Sequence, residues 1–328
     1  MVAIVGGAGF LGSAVVRTLE TQGVAHSVVD VECNPSATVP VLVADVRRPD
    51  SLFEALEGAE SIINLAAVHR DDVRPRTLYD EVNVDGARNV CDAARRHGIK
   101  RIIFTSSVAI YGFAPPDTDE EGAHSYFNDY GRTKAAAEQI YRQWQSEDPA
   151  RSLTIVRPTV IFGEGNRGNV YNLLSQMASG RFVMVGTGRN VKSMAYVENV
   201  ASFVVHCLSF GPGVHVYNYV DKPDMTMNEL VRVADRSLGR DRRRRVHVPY
   251  PIGYLGGILF DVVAALTGRS LPISALRVKK FCSTTKFAAS KLGETGFRPP
   301  VSLAEGLERT IRYEFVEDHS AERTYDTE

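Results

Sequence analysis

Tyr130 and Lys134 stand four residues apart in Tyr130-Gly131-Arg132-Thr133-Lys134, and Ser107 closes the upstream triplet Thr105-Ser106-Ser107. Residues i and i+4 share one face of a helix, so a phenol and an ammonium at this spacing can address one bound molecule. A phenol ordinarily ionises near pH ~10. A neighbouring ammonium and a positively charged nicotinamide ring favour its anion, which makes Tyr130 a candidate base near neutral pH. Lys134 can also hold the nicotinamide ribose. Ser107 can hydrogen-bond a substrate oxygen and relay its proton. A lone Tyr-x-x-x-Lys is more often a surface helix pair. A second motif, at the start of the chain, reverses that preference.

That motif is Gly6-Gly7-Ala8-Gly9-Phe10-Leu11-Gly12, directly after the apolar run Val2-Ala3-Ile4-Val5. The run reads as a buried parallel strand. Gly6 allows the tight turn out of it, Gly9 lets the backbone approach a pyrophosphate, and Gly12 lets the next helix pack closely on the sheet. The N-terminus of that helix offers free N–H groups and partial positive charge to phosphates. Ala14, Val15 and Leu19 follow at helical spacing, and a second strand, Ser27-Val28-Val29, ends in Asp30. An acid there accepts the ribose hydroxyls of NAD and repels the extra phosphate of NADP. The expected cofactor is therefore NAD, with a hydroxyl or ketone worked on beside it.

The elements that must position these residues alternate. Val41 to Ala44 reads as a third strand ending at Asp45, and Ser61 to Ala66 as a fourth. A helix is expected from Asp80 to His97, a strand over Arg101 to Thr105, a long helix within Ser125 to Trp144, and a strand over Leu153 to Arg157. Alternation of this kind predicts an α/β fold, a doubly wound parallel sheet with ligands at the C-terminal ends of its strands. Asp45 and Val46 are expected near the adenine, and Leu65, Ala66 and Ala67 beneath the cofactor. After Arg157-Pro158 the pattern turns irregular. The expected division is a nucleotide-binding domain over 1–165, with a return segment near 194–207, and a smaller substrate lobe over 166–328.

Composition narrows the class. The chain has 328 residues, enough for two lobes, and a net charge of −1, so there is no bulk attraction to nucleic acid. Cys33, Cys91, Cys207 and Cys282 are scattered without a Cys-x-x-Cys pair, which suits reduced cytoplasmic thiols and argues against a metal site. The first apolar run is already the nucleotide-binding strand, so no signal peptide is expected.

Taken together, Gly6-x-x-Gly9-x-x-Gly12, Asp30, Asp45-Val46, Leu65-Ala66-Ala67, Asn83, Thr105-Ser106-Ser107, Tyr111-Gly112, Tyr130-x-x-x-Lys134 and Arg157-Pro158 resemble the extended short-chain dehydrogenase/reductases, the NAD-dependent sugar epimerases and dehydratases. The likeness covers nearly the whole chain. It implies that Ser107 is the catalytic hydroxyl, that Phe10, Leu11 and Pro158 join the cofactor contacts, and that Asn83 braces the backbone of the site. Less generic segments, among them 69–73, 157–164, 166–174, 192–197, 217–224 and 277–282, are similar to the branch of this family that epimerises C4 of N-acetylglucosamine on undecaprenyl diphosphate for O-antigen and other surface glycans. That likeness implies a lipid-linked amino sugar as substrate, with a UDP-linked sugar or a 4-keto reductase reaction as runners-up, and a homodimer. Asn169, Lys192 and Arg277 are the implied substrate contacts, Lys192 standing where UDP-sugar epimerases carry an Arg. The 4,6-dehydratases place Asp-Glu directly after the catalytic hydroxyl. Here Val108 and Ala109 stand there, and neither can move a proton. A non-catalytic dinucleotide sensor would have no need of Ser107, Tyr130 and Lys134 together.

Between Arg240 and Leu271 a cationic run, Arg242 to Arg245, precedes Tyr250 to Leu266, which is apolar nearly all round. It is short of the ~20 residues that span a bilayer. A basic stretch beside an apolar helix suits a protein lying on an anionic membrane surface; the alternative is a core helix beside a solvated charge run.

Overall fold

The structure is a computed structural model that describes residues 1–32, 39–70, 72–240, 247–267, 274–319 and 322–327; of residues 262, 264–266 and 277 only the backbone is described. Its chain opens with β1 (Val2–Val5), α1 (Phe10–Thr21), β2 (His26–Asp30), β3 (Val41–Val43), α2 (Pro49–Ala55) and β4 (Ser61–Asn64). A helical segment follows that begins as α3 (Thr77–Tyr79), widens into a π-helical turn over Asp80–Asp85 and continues as α4 (Gly86–Arg96). Next come β5 (Arg101–Thr105), α5 (Asp129–Ser146) and β6 (Ser152–Pro158).

Among the described residues, the central sheet holds seven strands in the order Gly213–Tyr219, β6, β5, β4, β1, β2, β3, all parallel. The order reverses around β1, flanked by β2 and β4. In a doubly wound sheet that reversal opens the crevice where a dinucleotide lies.

Both faces of the sheet are covered, so its strands are apolar without alternation. Ile63, Ile103 and Val28 point to one side, into a core with Val15 and Leu19 of α1 and Val200, Phe203 and Val204 of a later helix. Their neighbours Ile62, Ile102 and Val29 point to the other, among Val90, Cys91 and Ala94 of α4 and Tyr141 and Trp144 of α5. Burial of each such side chain contributes roughly 1.5–3 kcal/mol.

After β6 the chain leaves the sheet through α6 (Asn169–Ala178) and comes back through α7 (Val197–His206), which packs on α1. It then pairs Gly213–Tyr219 with β6 along its full length. The remainder adds α8 (Met227–Ser237), opened by a capping box between Thr226 and Glu229, then α9 (Tyr250–Thr267) and α10 (Ala275–Cys282).

α9 is oriented unusually. A Cβ on Gly253 would meet Val185 at 2.5 Å, and one on Gly257 would meet the Ala275 backbone at 2.7 Å. Asp261, one turn further, accepts the Ala275 N–H at 3.0 Å. The stripe facing the protein is therefore Gly253, Gly257 and Asp261. Ile252, Leu255 and Leu259 lie on the opposite side, 62%, 65% and 64% exposed, with Val263 below them. Among the described residues no helix is long and apolar enough to cross a membrane.

Candidate active site

The glycine turn is packed from below and open above. Gly6 has φ +80°, and a Cβ there would stand 2.6 Å from the Ala66 nitrogen; one on Gly12 would stand 2.4 Å from the Gly6 oxygen. Both must be glycine for the turn and for helix–sheet contact. Gly9 differs: its nearest neighbour to such an atom is the Gly6 oxygen at 3.4 Å. Among the described residues no other atom beyond its chain neighbours comes within 4 Å of that position, which leaves the backbone at Gly9 open to the close approach a pyrophosphate requires. Gly9 caps α1 without a side chain, so the first-turn amides, which have no helical carbonyl before them, are offered to a ligand.

Asp30, at the end of β2, is fixed by that turn. Its carboxylate accepts the Ala8 N–H at 2.9 Å and the Val31 N–H at 2.7 Å. Asp45 is gripped by the Arg47 guanidinium, with contacts of 2.6 and 2.9 Å, and this hydrogen bond holds its carboxyl below the ordinary carboxylate range. Val46 is buried against Gly86. Leu65 donates its N–H to Val5 at 2.8 Å, and Ala66 donates to the Asn64 side chain at 3.1 Å. Leu65, Ala66 and Ala67 thus run past the glycine turn at the end of β4. Pro158 ends β6, beside Tyr219.

Ser107 follows β5 and caps the short 3-10 turn Val108–Tyr111, its Oγ accepting the Ala109 N–H at 3.1 Å. Tyr130 lies in the first turn of α5, which Asn128 caps by accepting the Gly131 N–H at 2.9 Å. A Cβ on Gly131 would stand 2.6 Å from the Ala109 oxygen. Its absence lets α5 approach the 3-10 turn closely enough for the Tyr130 hydroxyl to hydrogen-bond Ser107. Lys134, one turn on, is 2% exposed and donates to the Thr105 carbonyl at 2.7 Å. Ser107, Tyr130 and Lys134 therefore meet at the C-terminal end of β5.

A model of the NAD dependent epimerase/dehydratase family matches residues 2–219. The chain belongs to that family. It is 47% identical, over its full length and 99% of the relative's, to the N-acetyl-alpha-D-glucosaminyl-diphospho-ditrans,octacis-undecaprenol 4-epimerase of Escherichia coli O157:H7. Its fold is similar to MoeE5 in complex with UDP-glucuronic acid and NAD, with a TM-score of 0.74, 21% identity and coverage of 95% of this chain and 98% of that one. The UDP-glucose 4-epimerase of Thermus thermophilus in complex with NAD gives a TM-score of 0.71 at 21% identity, with the same coverage. NAD is thus the cofactor, and the open cradle over Gly9 and the placement of Asp30 fit it.

For an NAD epimerase, the charge state of the cluster matters most. Burial pushes the Tyr130 phenol up to about 12, against the pull of its Ser107 hydrogen bond. Burial also pushes Lys134 down to about 7, against Glu138. The sequence suggests an ammonium that favours the phenolate. In the folded protein Lys134 aims its donor at a backbone carbonyl, and burial acts against charge on both members of the pair.

Asn83 shows how the backbone is braced. Its side chain pairs with both the N–H and the C=O of Val68, each at 2.9 Å, and donates to Thr133 Oγ1 at 2.9 Å. It stands on the π-helical turn, a widening common at functional sites. Motif reasoning passes over Thr133, although it lies between Tyr130 and Lys134. It also passes over Glu138, four residues beyond Lys134 on the same face. Glu138 holds Arg157 through two hydrogen bonds of 2.8 and 2.6 Å, both side chains essentially unexposed. Arg157 also reaches the Tyr111 hydroxyl at 2.6 Å and the Glu120 carbonyl at 2.8 Å, and Tyr111 donates to Asn218 at 2.8 Å. The Arg157-Pro158 and Tyr111-Gly112 motifs thus meet in one buried network beside α5.

On the substrate side, Asn169 opens α6 and is exposed. Lys192 donates to the carbonyls of Lys280 at 2.9 Å and Ser283 at 2.7 Å, and burial pushes its ammonium down to about 8. It caps the C-terminal end of α10, which leaves one of its three donors for a ligand. The Arg277 side chain and Arg242 to Arg245 lie outside the described residues. Arg240, at the head of that run, is spent on α6, donating to the carbonyls of Met177 and Ala178. Lys280 links α10 to the segment that leads into α5: its ammonium lies 4.9 Å over the ring of Phe127, three residues before Tyr130. Phe127 stacks on Phe113 at 5.0 Å, and both rings are exposed.

Proposed function

We propose that the enzyme interconverts N-acetylglucosamine and N-acetylgalactosamine carried on undecaprenyl diphosphate, by inverting C4. When bound, NAD supplies the hydride acceptor and donor at C4 and a positive ring beside Tyr130. Tyr130 takes the proton of the C4 hydroxyl, while Ser107 hydrogen-bonds the same oxygen and relays the proton. Lys134 holds the ribose and is anchored on the Thr105 carbonyl. The flat 4-keto sugar turns over, and Tyr130 returns the proton once the opposite face is presented. Val108 and Ala109, next to Ser107, provide no acid or base for dehydration.

The outward face of α9 supports the lipid carrier. A helix of a soluble protein buries its large apolar residues; this one turns Gly253 and Gly257 toward the protein and Ile252, Leu255 and Leu259 outward. An exposed apolar stripe of that size marks an interaction surface, and a bilayer suits a row of leucine and isoleucine. α9 packs on α10, and α10 reaches the segment just before Tyr130 through Lys280 and Phe127. A sugar in the site would therefore have its carrier leading toward a membrane-facing surface. The full-length likeness to the lipid-linked epimerase supports the same reading. On this reading the protein is a peripheral homodimer on the cytoplasmic face of the membrane, and its product feeds O-antigen or other surface-glycan assembly.

The test is to supply purified protein with undecaprenyl-diphosphate-linked GlcNAc and with UDP-GlcNAc in parallel, without added NADH, and to identify the product sugars. GalNAc on the lipid carrier with no net NADH is expected. Conversion of the UDP-sugar alone overturns the carrier, and turnover that requires added NADH or NADPH makes the enzyme a reductase.

A further inference from the structure

The C-terminal residues 322–327 run along one edge of the cofactor cradle, against the first turns of α1. The Tyr325 hydroxyl is 2.8 Å from Ser13 Oγ, in the first turns of α1, and its ring stands 5.7 Å from that of Phe10. Its backbone takes the Arg167 N–H and donates to the Gly165 carbonyl, each at 2.8 Å. Thr327 donates to the Asn166 side chain at 2.6 Å, and its backbone hydrogen-bonds His69. At the other end Arg323 pairs with Glu32 at 3.5 Å, two residues beyond Asp30. The segment therefore runs from the ribose-binding end of the cleft, past the side of α1, to the loop that leads into α6.

The rest of the chain is shaped to receive it. A Cβ on Gly168 would stand 2.5 Å from Thr327 Oγ1, and one on Gly165, where φ is +79°, would stand 3.2 Å from the Arg323 carbonyl. The Gly165 N–H is held by the buried carboxylate of Glu314 at 2.7 Å.

We infer that Tyr325 and the segment around it form a wall of the NAD site that keeps the cofactor bound between the two halves of the reaction. The inference rests on the epimerase reading. A dehydrogenase releases its reduced cofactor after every turnover. An epimerase that did so halfway would strand a keto sugar and be left without the equivalent that reduces it. Tyr325 is a positioning residue here: it touches α1 and the 165–167 loop, and closes the cleft by joining them.

Three variants test this: Tyr325→Ala, Tyr325→Phe, which keeps the ring and loses the Ser13 bond, and a chain ending at residue 321. The readouts are the NAD that stays with each protein through gel filtration, the rate of NADH release followed by its fluorescence, and the melting temperature of the cofactor-free form. Truncation and Tyr325→Ala should speed release at least tenfold, with Tyr325→Phe between them and wild type, and should leave the cofactor-free melting temperature within about 2 °C. Unchanged release overturns the inference. So does a cofactor-free melting temperature that falls in step with release, since the segment would then only stabilise the fold. Release is measured without any sugar, so a wrong assignment of the substrate would not alter this result.

Discussion

Tyr130 and Lys134 share one face of α5 as their spacing requires, but burial sets their charge in a way that spacing does not reveal. In the cofactor-free protein a phenol pushed to about 12 is protonated at neutral pH, and a lysine near 7 is only half charged; the phenolate that takes the substrate proton is favoured once the positive nicotinamide ring of NAD lies beside it. Removing the phenol oxygen should therefore remove proton transfer and little else. Tyr130→Phe is expected to lower turnover roughly a hundredfold to ten-thousandfold while NAD still co-purifies; activity within threefold of wild type in a steady-state assay would take Tyr130 out of the mechanism. Lys134 gives a pH prediction whose sign is fixed. Its folded value lies below the unfolded 10.5, so between about pH 7 and 10 the unfolded chain holds more protons and stability rises with pH. Lys134→Met should flatten that rise in the cofactor-free protein, measured as melting temperature from pH 7 to 9.5. Lys192, near 8, leaves part of the slope in place. The candidates that sequence brings forward are those with a motif spacing. The partners of Lys192 are not legible there, because the backbone carbonyls of Lys280 and Ser283 carry no residue signature.

The glycine turn separates two reasons for lacking a side chain. Gly12→Ala puts a methyl against backbone at 2.4 Å and should destabilise the fold by about 1–3 kcal/mol as well as abolish NAD binding. Gly9→Ala meets protein only at 3.4 Å, so it should fold normally and lose at least tenfold in NAD affinity, read by calorimetric titration. Equal destabilisation of the two variants would mean that Gly9 serves the fold rather than the ligand. Most of the sheet is legible in the sequence, since strands buried on both faces are continuous apolar runs such as Ile102-Ile103-Phe104. The seventh strand is not. Gly213–Tyr219 mixes His215 and Asn218 with apolar residues, is half-exposed along its outer half, and is cut off from β6 by the excursion through α6. The π-helical turn over Asp80–Asp85 also has no sequence signal, although it is what aims Asn83 at Val68 and Thr133.

For the whole molecule, the two ends of α10 join chemistry to surface. Lys192 caps its C-terminus, Lys280 reaches toward Tyr130, and its N-terminus rests on α9 through Asp261. Leu255 and Leu259 can therefore be changed without touching the site. Replacing both with Asp removes roughly 1.5–3 kcal/mol of apolar contact per residue from any lipid-bound state, so co-sedimentation with vesicles containing phosphatidylglycerol should fall at least tenfold. Thermal stability should hold, because both side chains face away from the protein. Vesicle binding equal to wild type would show that α9 does not meet the bilayer. The apolar character of Tyr250 to Leu266 is plain in the sequence, but its direction is not. Only the close approach of Gly253 to Val185 and of Gly257 to Ala275 shows that the small residues face inward.

That inverted helix sets a limit on making the protein. Each new copy folds with a greasy ridge exposed, and on the proposed membrane reading it must find lipid before it finds another copy. On that reading, at low expression the available membrane area exceeds demand and the chains should disperse over it. At high expression copies meet ridge to ridge, and overproduction should yield aggregates in proportion to the excess. A mild detergent added at lysis, or the Leu255→Asp, Leu259→Asp double variant, should recover the dispersed form.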